Sequence, residues 1–157
     1  MNDIRFVLNG KEVVYNGSAT DRLLDVLRDN YRCTSVKCGC KEGECGACSV
    51  ILDGKLTNSC CVAMGAVSGS TVVTMEGYRE TERFKVLDKA FAEVSAVQCG
   101  FCTPGMVLAA ESILASNRHP SEEEIRVGIS GNLCRCTGYN AIVNAVKNAA
   151  EEGEGLW

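Results

Sequence analysis

The sequence predicts an α+β protein with a strand-rich N-terminal part and a helical C-terminal part. Short alternating apolar stretches separated by turn signals occur before residue 76, whereas apolar residues beyond residue 83 recur at helical spacing. The eleven cysteines fall mainly into two groups, one in each part. We therefore predict two domains, at residues 1–76 and 84–157, joined by a polar linker at residues 77–83.

Composition places the chain among soluble globular proteins. It has 157 residues, 46% of them apolar and 23% charged, with a net charge of −4. This acidic balance and the lack of a basic cluster argue against a nucleic-acid partner. The chain opens without a secretory signal, and no apolar stretch approaches the roughly 18 residues of a spanning helix. We therefore expect a cytoplasmic protein that is not inserted in a membrane.

The first part reads as strands with one helix. Asn9-Gly10 favours a two-residue hairpin turn between the first two strands. The segment RLLDVLRDNY carries leucines on one helical face, and Ser18–Asp21 offers caps for its N-terminus. The predicted strands are residues 4–8, 12–15, 49–52 and 71–75.

The second part reads as helices. Pro104 suits the first turn of a helix, because its missing N–H costs nothing there. Ser121 and Glu124 form a capping box for the next helix. The predicted helices are residues 84–96, one that opens at Thr103, one that opens at Ser121, and one over about 137–150. Four helices of this length predict a small bundle.

A dense group of thiols occupies the segment CGCKEGECGAC at residues 38–48. Counted from Cys40, the spacing is Cys-x4-Cys-x2-Cys with a distant fourth, Cys60, as in plant-type ferredoxins that hold a [2Fe–2S] cluster. The glycines between these cysteines permit the positive φ angles that wrap a chain tightly and turn its N–H groups toward sulfides. A zinc site, which usually takes paired knuckles, fits this spacing less well.

Three cysteines remain outside the motifs. Cys38 stands at the wrong distance from Cys45, so we interpret it as a bystander. Cys61 competes with Cys60 for the fourth ligand position, because adjacent residues cannot easily both ligate one cluster. Cys33 has no partner pattern and is interpreted as a small buried residue.

The second group pairs Cys99 with Cys102 and Cys134 with Cys136. Cys102 and Cys136 lie just before predicted helix N-termini, where the helix dipole and free N–H groups favour the negative charge of a thiolate-bound cluster. A structural zinc ion and a redox-active Cys99/Cys102 dithiol are the alternatives that this spacing leaves open.

Taken together, the two motifs resemble the iron–sulfur small subunit of the molybdenum hydroxylases, the xanthine dehydrogenase and aldehyde oxidoreductase family. The resemblance covers about residues 3–150. It implies an N-terminal β-grasp domain of the plant-type ferredoxin kind and a C-terminal four-helix bundle, each with one [2Fe–2S] cluster. It rests on GCKEGECGACSVILDG, Ser59-Cys60, AVQCGFCTPGM and GNLCRCTGY.

The same resemblance implies which residues bind the cofactors. Gln98 matches a glutamine that hydrogen-bonds the pterin, and Cys136 matches the cluster ligand nearest to it. An ordinary polar residue at a helix end is the alternative for Gln98. The implied ligands are Cys40, Cys45, Cys48 and Cys60 for the first cluster, and Cys99, Cys102, Cys134 and Cys136 for the second.

The implied function is electron transfer without substrate chemistry on this chain. Electrons would pass from molybdopterin in a large subunit, through both clusters, to FAD in a medium subunit of a heterotrimer or its dimer. Hydroxylation of a purine or other N-heterocycle is the favoured reaction of the whole enzyme. An aldehyde, carbon monoxide or hydroxybenzoyl-CoA enzyme is the alternative, and a zinc-stabilised interaction module is a distant one.

Overall fold

A computed structural model describes residues 3–157. Five strands form one mixed sheet in the order β2-β1-β5-β3-β4. They are β1 (Ile4–Leu8), β2 (Lys11–Tyr15), β3 (Ser49–Leu52), β4 (Lys55–Asn58) and β5 (Thr71–Val73). The helices are α1 (Leu23–Asp29), α2 (Met75–Tyr78), α3 (Glu82–Glu93), α4 (Thr103–Ser116), α5 (Glu122–Gly128) and α6 (Asn140–Glu152).

Two tight turns shape the sheet. The predicted hairpin at Asn9-Gly10 is confirmed: both residues have positive φ, 50° and 78°, and β1 pairs antiparallel with β2. Asp53-Gly54 makes a second turn of this kind, with φ of 48° and 79°, and pairs β3 with β4. Strand β4 was missed, because Leu56 is its only strongly apolar side chain.

Helix α1 covers one face of the sheet. Its residues Leu23, Leu24 and Leu27 are completely buried against the inward side chains of the strands. The cap predicted at Ser18–Asp21 is wrong, because the helix begins after Arg22 without a side-chain cap. The Asp21 carboxylate instead accepts hydrogen bonds from the Tyr15 hydroxyl and the Ser18 N–H.

Helices α3 to α6 pack around a second apolar core, with α4 at its centre and against the other face of β3 and β4. The predicted starts at Thr103 and Ser121 are confirmed, and the capping box between Ser121 and Glu124 forms in both directions. Helix α3 begins earlier than predicted, because the Thr81 hydroxyl caps it by accepting from the Phe84 N–H. Within residues 3–157, no helix combines the length and apolar character needed to cross a membrane.

The end of the chain folds back onto these helices. Trp157 is buried, and its indole N–H donates to the Glu111 carboxylate at 2.7 Å. The same carboxylate accepts from the Tyr78 hydroxyl and pairs with Arg83, whose Nη1 lies 2.9 Å away. The buried charge of Glu111 is therefore fully partnered, and it ties α2, α3 and the chain end to α4.

Candidate metal centres

Three backbone N–H groups converge on the sulfur of Cys40. They belong to Glu42, Glu44 and Cys45, with N–S distances of 3.3, 3.4 and 3.4 Å. These donors lower the pKa of the Cys40 thiol to about 6, because they stabilise the thiolate. The thiolate is the form that binds metal, so the loop between α1 and β3 holds the Cys40 sulfur in a form suited to a metal.

Glycine allows the backbone of this loop to approach the thiols closely. Gly43 and Gly46 have φ of 79° and 67°, a conformation that side chains rarely adopt. A Cβ added to Gly39 would lie 2.6 Å from the Cys45 sulfur, and one added to Gly43 would lie 2.7 Å from the Cys61 sulfur. The donors, the thiols and the space left by the glycines fit a group bound through sulfur.

The cysteines of both predicted motifs lie in four close pairs. In each pair the second thiol lies close enough to influence the pKa of the first: Cys40 with Cys45, Cys60 with Cys48, Cys102 with Cys134, and Cys136 with Cys99. Within residues 3–157, no three cysteine, histidine or carboxylate side chains surround one point as they would around a single ion. A [2Fe–2S] cluster held by four cysteines takes two thiolates on each iron. The pairs match that ligand count.

The second site lies where the loops before α4 and α6 meet. Burial would raise the pKa of Cys134, but the Thr137 hydroxyl, 3.2 Å from the sulfur, and nearby backbone N–H groups lower it to about 7. Burial and the adjacent Cys134 thiol instead raise the pKa of Cys102 to about 12. Of this pair, the Cys134 thiol therefore ionises more readily to the thiolate, and the Cys102 thiol less readily.

The expected position of Cys136 just before a helix is wrong. Gly138 and Tyr139 have positive φ, 65° and 72°, so the chain stays irregular until α6 begins at Asn140. Cys102, in contrast, directly precedes α4, as predicted.

The residues predicted to face the pterin lie at the surface of the second site. Gln98, Cys99 and Cys136 are all exposed, whereas Cys48 and Cys60 of the first site are buried. Gln98 directly precedes Cys99, and the Cys99 thiol lies close enough to Cys136 to influence its pKa.

Exposed apolar side chains lie near these cysteines in the sequence. Val97, Phe101 and Leu133 expose 43%, 47% and 55% of their surface. Each is adjacent in sequence, or next but one, to a cysteine of the second site. An apolar rim around a metal centre is typical of a surface that another protein covers.

The three remaining cysteines differ in their surroundings. Cys33 is 4% exposed in the core beneath the sheet, and burial raises the pKa of its thiol, as expected of a small buried residue. Cys38 is half-buried against the same core. Cys61 is exposed, with its sulfur 3.7 Å from that of Cys60.

A buried residue that sequence reasoning missed joins the two sites. The Asn132 side chain, 3% exposed, donates to the Gly46 carbonyl at 3.1 Å and to the Ser49 hydroxyl at 3.2 Å. Next to it, the Leu133 N–H donates to the Cys45 carbonyl at 2.9 Å. The one signal for Asn132 in the sequence is its position directly before Leu133-Cys134.

Two family models match consecutive parts of the chain. Residues 6–69 match the 2Fe-2S iron-sulfur cluster binding domain, and residues 74–147 match the [2Fe-2S] binding domain. These matches contain the first and the second group of cysteines, respectively. The chain therefore has two [2Fe–2S] binding regions.

Whole-length relatives show the same organisation. The nicotinate dehydrogenase small FeS subunit of Eubacterium barkeri is 49% identical over 94% of both chains. The xanthine dehydrogenase iron-sulfur-binding subunit of Escherichia coli O157:H7 is 41% identical over 91% of both chains.

Solved structures share the fold. Quinoline 2-oxidoreductase from Pseudomonas putida matches with a TM-score of 0.89 and 40% identity, over 96% of this chain and 94% of the matched one. The aldehyde oxidoreductase from Desulfovibrio desulfuricans matches with a TM-score of 0.92 and 41% identity, over 99% of this chain but only 17% of that one. The chain belongs to the family of [2Fe–2S] electron-transfer subunits of the molybdenum hydroxylases.

Proposed function

We propose that this chain conducts electrons from a molybdopterin-binding large subunit to an FAD-binding medium subunit, within a heterotrimer or its dimer. The observation that carries the proposal is the joining of two thiol sites through one hydrogen bond, from the Leu133 N–H to the Cys45 carbonyl. A [2Fe–2S] cluster, when bound, accepts and releases one electron at a time. Two such sites in contact provide a conduction path and no substrate chemistry.

Each thiol pair is proposed to share one iron. In the first cluster these pairs are Cys40 with Cys45 and Cys48 with Cys60. In the second they are Cys99 with Cys136 and Cys102 with Cys134. The support for this assignment is the electrostatic influence of the thiols on each other within the pairs and the short N–H···S distances around Cys40.

The two apolar cores support the proposed domains in part, since Tyr78 of the proposed linker is buried in the second core. Residues 1–76 would form a β-grasp domain of the plant-type ferredoxin kind, in which α1 crosses one face of the five-stranded sheet. Residues 84–157 would form a four-helix bundle from α3, α4, α5 and α6, and residues 77–83 would link the two.

The second cluster is proposed to face the molybdopterin. Gln98 would hydrogen-bond the pterin, and Cys136 would be the ligand through which electrons enter. The exposure of both residues and the apolar rim of Val97, Phe101 and Leu133 support a protein partner on this side. The first cluster would face the flavin.

Hydrogen-bond donors of this chain are proposed to set the reduction potentials of the two clusters. A hydrogen bond to a cluster sulfur stabilises the extra negative charge of the reduced state and so raises the potential. The N–H groups of Glu42, Glu44 and Cys45 would act on the first cluster. The Thr137 hydroxyl would act on the second.

The substrate class is proposed to be a purine or another N-heterocycle. Support comes from the 49% identity to a nicotinate dehydrogenase subunit and from the likeness to quinoline 2-oxidoreductase, although an aldehyde oxidoreductase is structurally similar too. An aldehyde, carbon monoxide or hydroxybenzoyl-CoA enzyme is the alternative. The proposed location is the cytoplasm, where cysteines stay reduced and can bind iron.

Two ligand variants of the assembled enzyme test the direction of electron flow. With Cys45→Ala, which removes a first-cluster ligand, substrate should still reduce the second cluster while the flavin stays oxidised. With Cys102→Ala, neither the first cluster nor the flavin should be reduced. Cys33→Ala is the control and should behave as wild type. Flavin reduction at the wild-type rate in Cys45→Ala would contradict the proposed path.

A further inference from the structure

We propose that Cys61 is a reserve ligand of the first cluster, able to replace Cys60 on the same iron. The inference rests on the proposed function, because it requires a cluster held by Cys40, Cys45, Cys48 and Cys60. Cys60 and Cys61 occupy one turn of 3₁₀ helix, Ser59–Cys61, that directly follows β4.

The sulfur of Cys61 lies next to the sulfur of Cys60. The Cys60 and Cys61 sulfurs lie 3.7 Å apart. Two thiolates on one tetrahedral metal, each bonded at about 2.3 Å, stand about 3.8 Å apart. The Cys61 sulfur therefore borders the ligand position of Cys60 and could enter it if Cys60 left.

Both sulfurs also face the same turn of the cluster loop. The Gly43 N–H lies close enough to the Cys60 sulfur to favour its thiolate form. A Cβ added to Gly43 would stand 2.7 Å from the Cys61 sulfur, so this thiol lies directly over the Gly43 backbone. The Cys40 thiol is close enough to influence Cys61 electrostatically. Cys61 thus borders the cluster loop although its side chain is exposed.

The other two spare thiols lack this placement. Cys33 is held in the core, where its sulfur donates to the Tyr31 carbonyl at 3.8 Å. Cys38 packs against the same core. Cys61 is exposed, so it can move toward the iron without opening any packing. Cys38 is therefore the matched control.

The exchange is balanced without any redox change. The bond from iron to the Cys60 sulfur breaks, and the bond from iron to the Cys61 sulfur forms. Cys61 gives up its thiol proton, and the released Cys60 thiolate takes one up. Adjacent residues cannot easily bind one iron together, so the step is a replacement and not a fifth bond.

Alanine variants of the full chain, purified anaerobically, test the proposal by iron and labile-sulfide content. Alanine is used because a serine oxygen could itself bind iron. Cys60→Ala and the control Cys60→Ala/Cys38→Ala should keep about four irons per chain, with an altered signal of the first cluster, whereas Cys60→Ala/Cys61→Ala should fall to about two. A fall to about two irons in Cys60→Ala itself would overturn the proposal. A fall of the iron content in the control Cys60→Ala/Cys38→Ala would also overturn the proposal.

A second measurement leaves Cys60 in place, so it does not depend on the folding of that variant. An iron chelator should bleach the first cluster several-fold faster in Cys61→Ala than in wild type or Cys38→Ala, since only Cys61→Ala lacks the thiol that recaptures iron. Equal bleaching rates would overturn the proposal. A wild-type chain without about four irons would instead contradict the proposed function itself, so the two failures are distinguishable.

Discussion

The carbonyl of Cys45 accepts a hydrogen bond from the N–H of Leu133 at 2.9 Å, across 88 positions of sequence that separate residue 45 from residue 133. Cys45 is a proposed ligand of the first cluster, and Leu133 is bonded to Cys134, a proposed ligand of the second. The two metal sites are therefore in contact through one hydrogen bond and a few covalent bonds. This contact fixes the position of one site relative to the other.

Asn132 is expected to hold that contact in place. Asn132→Ala removes the buried hydrogen bonds to Gly46 and Ser49. The Gly46 carbonyl keeps the Ser49 N–H and hydroxyl as donors, so the free energy of unfolding should fall only by the worth of the lost bonds, about 0.5–1.5 kcal/mol each. It should also slow electron transfer between the clusters in rapid-mixing experiments. Asn117→Ala is the control, because it also removes two side-chain hydrogen bonds, to Glu124 and from the His119 N–H, but both are exposed. Equal effects of the two variants would contradict this role.

A comparison of Gly46→Ala with Gly54→Ala separates the effect of a close backbone approach from the effect of backbone strain. Both have positive φ, 67° and 79°, so alanine at either position should cost about 1–2 kcal/mol of folding free energy. At Gly54 nothing lies within 4 Å of the added Cβ, but at Gly46 it would stand 2.3 Å from the Gly131 carbonyl. Denaturant titration should therefore show Gly46→Ala to be clearly the less stable. Equal denaturation midpoints would mean that the loop at Gly46 does not pack against the loop at Gly131 as described.

Thr137 should raise the potential of the second cluster alone. Its hydroxyl donates to the Cys134 sulfur at 3.2 Å, so Thr137→Val removes a bond that favours the reduced state. The potential of the second cluster should fall by roughly tens of millivolts, while that of the first stays unchanged. Thr57→Val, which removes only an exposed bond to the Lys55 carbonyl, is the control in the same redox titration. A fall in the first potential would contradict the assignment.

Glu76 should make folding stability dependent on acid pH. Burial raises its pKa, but bonds from the Ser35 hydroxyl and N–H and from the Thr74 hydroxyl outweigh burial and lower it below its ordinary value of 4.5. A lowered pKa means that the folded state favours the carboxylate, so the stabilisation is present above pH 4.5 and is lost as the pH falls below it.

Melting temperatures of wild type and Glu76→Gln, measured from helicity at neutral and acid pH, test this dependence. The variant should be less stable at neutral pH, and the difference should shrink as the pH falls. A difference that is constant with pH would show that the Glu76 charge does not contribute to folding.

Much of the molecule could be predicted from local sequence. Asn9-Gly10, the capping box at Ser121 and Pro104 each act on their own neighbours, so their elements were found. The Cys-x4-Cys-x2-Cys spacing likewise encodes a loop. These signals are local because turn and cap energies depend on residues a few positions apart.

The missed features depend on contacts that are distant in sequence. Asn132 is important because it meets Gly46, and no local pattern marks that contact. Trp157 reads as part of a charged tail, yet it is buried because Glu111 accepts its indole N–H. Asp21 was mistaken for a cap because Tyr15 and Ser18, which bind it instead, come from outside the helix.

Iron and labile-sulfide content, with electron paramagnetic resonance after dithionite reduction of the anaerobically purified chain, tests the central claim most directly. Two [2Fe–2S] clusters require about four irons per chain and two distinguishable signals. About two irons with one signal, or zinc in place of iron, would contradict an electron path through two clusters.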